Sequence, residues 1–273
     1  MSYNLLKGKR GIIFGALNEE SIAWKVAQRC HQEGAIFTLT NAPLAMRMGE
    51  INKLAEETGA KVIPADATSV EELEKLVDES VAFLGGKIDF VLHSIGMSPN
   101  IRKGKAYGDL NYEWYMKTLD VSAMSFHKIM ATIDKKDAFS EWASVVGLSY
   151  IAAQRIFPDY TDMADAKAML ESIARSYGAR LGKSKNIRVN TISQSPTMTT
   201  AGKGISGFGA FYDFADKMSP LGNASPEACA DYCVSLFSDL TKMVTMQNLF
   251  HDGGFSSSGM TAEVMELFEN SQK

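Results

Sequence analysis

Residues 10–34 read RGIIFGALNEESIAWKVAQRCHQEG. The opening run, RGIIFG, is short, β-branched and aromatic, and it stops at Gly15. From Ser21 the spacing changes: Ala23, Val26, Ala27 and Cys30 fall on one helical face, and Gly34 terminates it. A buried strand, a tight loop and an amphipathic helix in that order make half of a β-α-β unit. The rest of the chain repeats the alternation.

AIFTLT (35–40), KVIPADAT (61–68), KIDFVLHSIG (87–96), EWASVVGLSY (141–150), NIRVNTIS (186–193) and VTMQNLFHDGG (244–254) read as further strands. Helical patterns lie near MGEINKLAEETG (48–59), over EELEKLVDESVAFL (71–84), around 111–132, around Lys167, and over SPEACADYCVSLFSDL (225–240). Ser69 and Glu72 have capping-box spacing before the second of these. Strands alternating with helices predict a parallel sheet covered on both faces, an α/β doubly wound fold of Rossmann type. No linker rich in Pro, Gly or Ser divides the chain, so the expectation is one domain over 1–260 and a tail over 261–273, frayed at ENSQK.

One segment breaks the rhythm. TMTTAGKGISGFGAFYDFADKMSP (197–220) follows the sixth strand and mixes Gly202, Gly204, Gly207 and Gly209 with Phe208, Phe211, Tyr212 and Phe214. Ligands of open α/β sheets bind beyond the carboxyl ends of strands, so this insertion is expected to be a lid over an apolar ligand.

Composition narrows the function. With 45% hydrophobic and 22% charged residues and a net charge of −4, nothing favours nucleic acid. No apolar run reaches the ~18–20 residues of a membrane span. Three cysteines and no export-like start point to a reducing cytoplasm. Cys229 and Cys233 stand one turn apart without a completing ligand, which makes them core residues and predicts no metal site.

GALNEESIA (15–23) keeps only the first glycine of a dinucleotide fingerprint. Gly15 can supply the tight turn, and Ser21 with the Ile22 N–H can meet phosphate; Ser21 can equally be the helix N-cap. Glu19 and Glu20 would repel phosphate and should face solvent. TNAPLAMR (40–47) has no acid for a ribose diol, so NADPH is not excluded, and Arg47 could reach a 2′-phosphate. Asp66 suits either an adenine amino group or a cap, and Gly96 leaves room for a nicotinamide ribose.

Tyr160 and Lys167 are seven residues apart, close to two helical turns, so Tyr160, Met163 and Lys167 are expected on one helix face. GALNEESIA, HSIG, LSYIAAQRIFPDYTDMADAK, IRVNTIS and HDGGF, in order along the chain, resemble the bacterial enoyl-acyl-carrier-protein reductases, a branch of the short-chain dehydrogenase/reductases. The resemblance implies Tyr160 as catalytic tyrosine, Lys167 on the nicotinamide ribose and Tyr150 as a second active-site tyrosine. It implies cofactor contacts at Gly15, Ser21, Ile22, Ala42, Asp66, Ala67, Ile95, Thr197, Met198, Thr199, Thr200 and Ala201. Substrate contacts are implied at Ser98, Tyr150, Tyr160 and Met163. It further implies NADH as cofactor, an acyl carrier protein bearing an enoyl chain as partner, and a homotetramer. Lys203 and Lys217 are candidate contacts for an acidic carrier, or simply solvated. At SQSPTM (193–198) the chain departs from the family's usual Ser-Ala-Gly-Pro-Ile-Arg at Gln194, Ser195 and Thr197. A ketone or alcohol reductase would need Tyr-x3-Lys, which occurs only at Tyr3–Lys7. A nucleotide sensor without catalysis would not need Tyr150, Tyr160 and Lys167 together.

Overall fold

The structure is a computed structural model that describes residues 2–47, 49–203 and 208–272, without the side chain of residue 201. Strand β1 (Arg10–Phe14) lies at the centre, hydrogen-bonded in parallel to β2 (Ile36–Thr40) and β4 (Ile88–His93), with Ile12 opposite Thr38 and Val91. The seven strands follow the order β3-β2-β1-β4-β5-β6-β7, with β3 Lys61–Val62, β5 Phe139–Ser149, β6 Arg188–Gln194 and β7 Asn248–His251, all parallel. Winding reverses between β1 and β4. That crevice, outside the strands' carboxyl ends, is where such a sheet receives ligands.

Buried strands need cover on both faces. Helices α1 (Ile22–Gln32), α2 (Pro43–Met46) and α3 (Ile51–Thr58) follow the first strands, and α4 (Val70–Leu84) precedes β4. After β4 come α5 (Pro99–Arg102), α6 (Tyr112–Leu119) and α7 (Ser125–Lys135), then α8 (Thr161–Lys185) after β5. Beyond β6 lie α9 (Thr200–Lys203), α10 (Phe208–Met218) and α11 (Pro226–Phe237), and α12 (Ala262–Ser271) ends the chain. On one face Leu73, Phe126, Ile133 and Leu170 form the core. On the other, Trp24, Phe37, Phe90 and Phe237 do, with Cys30, Cys229 and Cys233 as buried free thiols among them. The cysteines are core residues, as their spacing predicts.

Three expectations shift. The third strand is two residues long, although Ile63 and Ala65 still donate to Leu39 and Asn41. The helix expected over 111–132 is split by a π-helical stretch, Asp120–Met124, after an N-cap at Asn111. The chain end stays helical to Ser271: Thr261 caps α12 and donates to Lys217 O, and Lys217 pairs with Glu263. Ser69 does accept from Glu72 N–H, but the Glu72 carboxylate takes Asp66 N–H at 2.7 Å, leaving the capping box half made.

Candidate active site

The loop after β1 is shaped by its backbone. Gly15 has φ +97°, and a Cβ there would stand 2.0 Å from Ser94 O, so any side chain collides with the backbone after β4. Ser21 occupies the N-cap position of α1, yet its hydroxyl makes no cap bond. It turns back to accept Leu17 N–H and Asn18 N–H, both at 3.2 Å. Ser21 therefore holds the expected N-cap position but uses its side chain to brace the loop. Among the described residues the Ile22 and Ala23 N–H groups find no acceptor, since the helix's first bonds run from Trp24 and Lys25 to Ser21 O. Two free amides at a positive helix end are a seat for phosphate. Glu19 and Glu20 turn outward, Glu19 to Lys53 and Glu20 to Lys203 and Thr200.

Ala42, Asp66, Ala67 and Ile95, scattered in sequence, line one narrow cleft of about 50 Å³ with Phe14, Asn41 and Val121. Asp66 Oδ1 accepts Thr68 N–H and Thr68 Oγ1–H, which holds the turn and aims the carboxylate at the cleft. The capping role falls to Oδ1, and Oδ2 accepts no hydrogen bond among the described residues.

At the end of β5 the site is made of side chains. The rings of Tyr150 and Tyr160 meet at a tilt of 54° with centroids 5.0 Å apart. Tyr150 is buried, and its Oη has no hydrogen-bond partner among the described residues. Burial pushes both phenols well above their ordinary range, so each is a neutral donor at neutral pH. Lys167 is buried, donates to Leu148 O at 2.7 Å, and burial lowers it to about 8, partly offset by the Glu171 carboxylate. Gly96 faces both: a Cβ there would lie 3.9 Å from Lys167 Nζ and 3.9 Å from Met163 Cε. The expected single helix face is corrected. Met163 and Lys167 share it, but Tyr160 precedes the first helical residue and stands at the N-cap position, between Asp159 (φ +64°) and Thr161 (φ +26°).

The expected lid is largely helical. Helix α10 lays Phe211 edge-on against Tyr150 at 5.9 Å and Phe157 at 5.4 Å, with Phe208 behind it at 6.1 Å. Gly204 and Gly207 lie outside the described residues, as does the side chain of Ala201. Thr197 is buried, Met198 is exposed, and Thr199 and Thr200 enter α9, where Asn18 donates to Thr200 Oγ1 at 2.9 Å. The divergent residues at the end of β6 form a polar cluster: His251 Nδ1–H meets Gln194 Oε1 at 2.7 Å, Gln194 Nε2 donates to Ala224 O, and Ser195 Oγ accepts Ala224 N–H. Lys203 and Lys217, the carrier-contact candidates, are both ion-paired, with Glu20 and Glu263.

The Ser98 hydroxyl is buried, accepts Ile101 N–H and donates to Asp162 Oδ1 at 2.6 Å. Asp162 and Glu171 are the residues the sequence did not single out. Glu171 is buried on α8 and takes Ser149 Oγ–H and Gln154 Nε2–H, tying the end of β5 to the helix of Lys167. Among the described residues no group of three or more potential metal ligands occurs, and no helix is long and apolar enough to cross a membrane.

A dinucleotide fits these features: free amides at α1 for the pyrophosphate, the cleft at Asp66 for the adenosine end, and Gly96 beside Lys167 for the far ribose. The protein-family model described as enoyl-(acyl carrier protein) reductase matches residues 15–256. An enoyl-acyl-carrier-protein reductase (NADH) of Rhizobium meliloti is 34% identical over 268 residues, 96% of this chain and 97% of its own length. The corresponding reductase of Bacillus subtilis is 30% identical, covering 92% and 96%. The crystal structure of a FabI–NADH complex from Alistipes finegoldii superposes with a TM-score of 0.94 at 62% identity, covering 95% of this chain and 92% of that one. The chain belongs to the enoyl-(acyl carrier protein) reductase family.

Proposed function

We propose that this protein reduces the trans-2 double bond of an enoyl thioester carried on an acyl carrier protein, with NADH as reductant, in fatty-acid synthesis. The observation that carries this is the pairing of two neutral phenols, Tyr150 buried and Tyr160 half-buried, with Lys167 at the carboxyl end of β5, under the aromatic cover of α10. When bound, NADH supplies the hydride that adds to the β-carbon of the enoyl chain. Negative charge then builds on the thioester oxygen, and Tyr160 Oη–H, spare among the described residues, is the donor for it. One preorganised donor of this kind is worth ~3–4 kcal/mol. An enolate is less basic than an alkoxide, so Tyr160 need not be acidified, and nothing around it offsets the upward push of burial. Lys167 uses one N–H on Leu148 O and keeps two for the ribose hydroxyls. Tyr150, with an orphaned Oη, positions the thioester, while Met163, Phe157 and Phe211 exclude water around it. Gly15, Ser21, Ile22, Ala42, Asp66, Ala67, Ile95 and residues 197–201 line the path of the cofactor.

The partner follows from the substrate: a carrier protein must present its acyl chain at the mouth between α10 and the loop after β5. We also assign a cytoplasmic homotetramer. The edge strand β7 bears exposed Phe250, and α12 bears exposed Met265, Leu267 and Phe268, apolar surface suited to other copies of the chain. Light scattering that returned a monomer at micromolar concentration would remove the tetramer alone.

The deciding experiment follows nicotinamide absorbance with crotonyl thioester and, separately, with a β-ketoacyl thioester. Oxidation of NADH is expected only with the enoyl substrate; consumption of the ketoacyl compound instead overturns the proposal. Repeating the assay with NADPH measures cofactor preference.

A further inference from the structure

We infer that Asp162 is a positioning residue that fixes Tyr160 relative to the loop after β4; the inference rests on Tyr160 being the donor to the thioester oxygen. Asp162 lies in the first turn of α8, two residues after Tyr160, and is fully buried. Its Oδ1 accepts from Ser98 Oγ at 2.6 Å and from Thr161 Oγ1 at 3.1 Å. Its Oδ2 accepts from Asn100 Nδ2 at 2.9 Å and from Thr118 Oγ1 at 2.8 Å. Four donors fill the four lone-pair sites of a carboxylate, and the positive end of α8 favours its charge.

The donors come from three segments. Ser98 and Asn100 belong to the stretch that continues from Ile95 and Gly96, the residues at the cofactor cleft and opposite Lys167. Thr118 ends α6, and Thr161 is the residue next to Tyr160. One carboxylate thus joins the wall on the nicotinamide side to the segment that carries the phenol.

Tyr160 needs such an anchor. Its hydroxyl has no partner among the described residues, and it stands at an N-cap position where its carbonyl accepts Ala164 N–H but no side chain caps the helix. Both flanking residues have positive φ, and Thr161 is β-branched, for which that conformation is strained. Strain of this kind persists only where surrounding contacts over-determine it. Thr161 Oγ1 on Asp162 Oδ1 is that contact. Ile101, Leu119, Met163 and Ala166 pack beside the same helix end, so an apolar residue at 162 would serve packing alone. A buried charge with a matched set of donors specifies geometry instead.

The test is a double-mutant cycle of Asp162→Asn and Tyr160→Phe, followed with crotonyl thioester and NADH, with enzyme concentration raised for slow variants. D162N is expected to lower kcat about tenfold by misaiming the phenol, with the KM for NADH within about twofold of the parent. In the Y160F background the same change should alter kcat by less than about twofold, because the group it aims is gone. Equal losses in both backgrounds, an unchanged kcat in D162N, or a loss confined to NADH affinity would each overturn the inference. A Tyr160→Phe loss under about threefold overturns instead the role of Tyr160 itself. Should D162N fail to fold, Thr118→Val removes one donor at constant shape and enters the same cycle, with about a threefold loss expected and the same non-additivity.

Discussion

The loops that follow β1 and β5 open onto the same end of the sheet but are made of different material. After β1 the functional groups are amides: Gly15 makes the turn, and Ser21 spends its hydroxyl bracing Leu17 and Asn18 so that the first N–H groups of α1 stay free. After β5 they are side chains: two phenols, a buried ammonium, and backbone strain at Asp159 and Thr161 to aim one of them. An anion is held by peptide dipoles that any residue carries once the turn is made, so a loop with one glycine suffices. A developing oxyanion needs one donor at one place, so the residue type is fixed and the backbone bends to suit it.

If that contrast is right, substitutions in the two loops should fail in different ways. Tyr160→Phe should cost about 100-fold in kcat with little change in the KM for NADH; steady-state kinetics check it, and a KM effect alone would erase the distinction. Gly15→Ala should do the reverse, raising the KM for NADH about tenfold or more and lowering the melting temperature, because the new Cβ meets Ser94 O.

The pH dependence of Lys167 gives a finer separation. The folded apo protein holds its ammonium only to about pH 8, against 10.5 for the free side chain, because burial disfavours the charge. Between those values the unfolded chain binds more protons, so apo stability should rise with pH, while NADH affinity should fall as the ammonium is lost. Urea melts and fluorescence titrations across pH 7–10 read the two trends, and parallel slopes would exclude Lys167 as their source. The smallest effect is expected at Tyr150→Phe. Removing a buried hydroxyl without a partner should raise stability by ~1 kcal/mol, roughly 2–4 °C in Tm. A fall in Tm would mean that Tyr150 has a hydrogen bond absent from this structure.

Much of the architecture could be read from periodicity, since strands buried on both faces are apolar throughout and each is followed by a helical repeat. One boundary that moved has a local cause: a π-turn interrupted the helix over 111–132. The bond between Ser98 and Asp162 left no local signal, because the two are 64 residues apart in sequence. Asp162 carried no signal of its own, for an acid in the first turn of a helix is ordinary at a surface. Only packing α5, α6 and α8 together removes it from water and makes its four bonds obligatory.

Residue types and spacing by themselves determined the wound sheet, because strand and helix patterns are local properties of the chain; the phosphate-loop and Tyr–Tyr–Lys assignments came from the resemblance to the reductase family. The tertiary structure alone decided where Tyr160 stands, which carboxylate binds the Ser98 hydroxyl, and how Ala42, Asp66, Ala67 and Ile95 meet in one pocket. Those outcomes depend on contacts between residues tens of positions apart, and the free energy of a buried polar group exists only once its distant partners have closed around it.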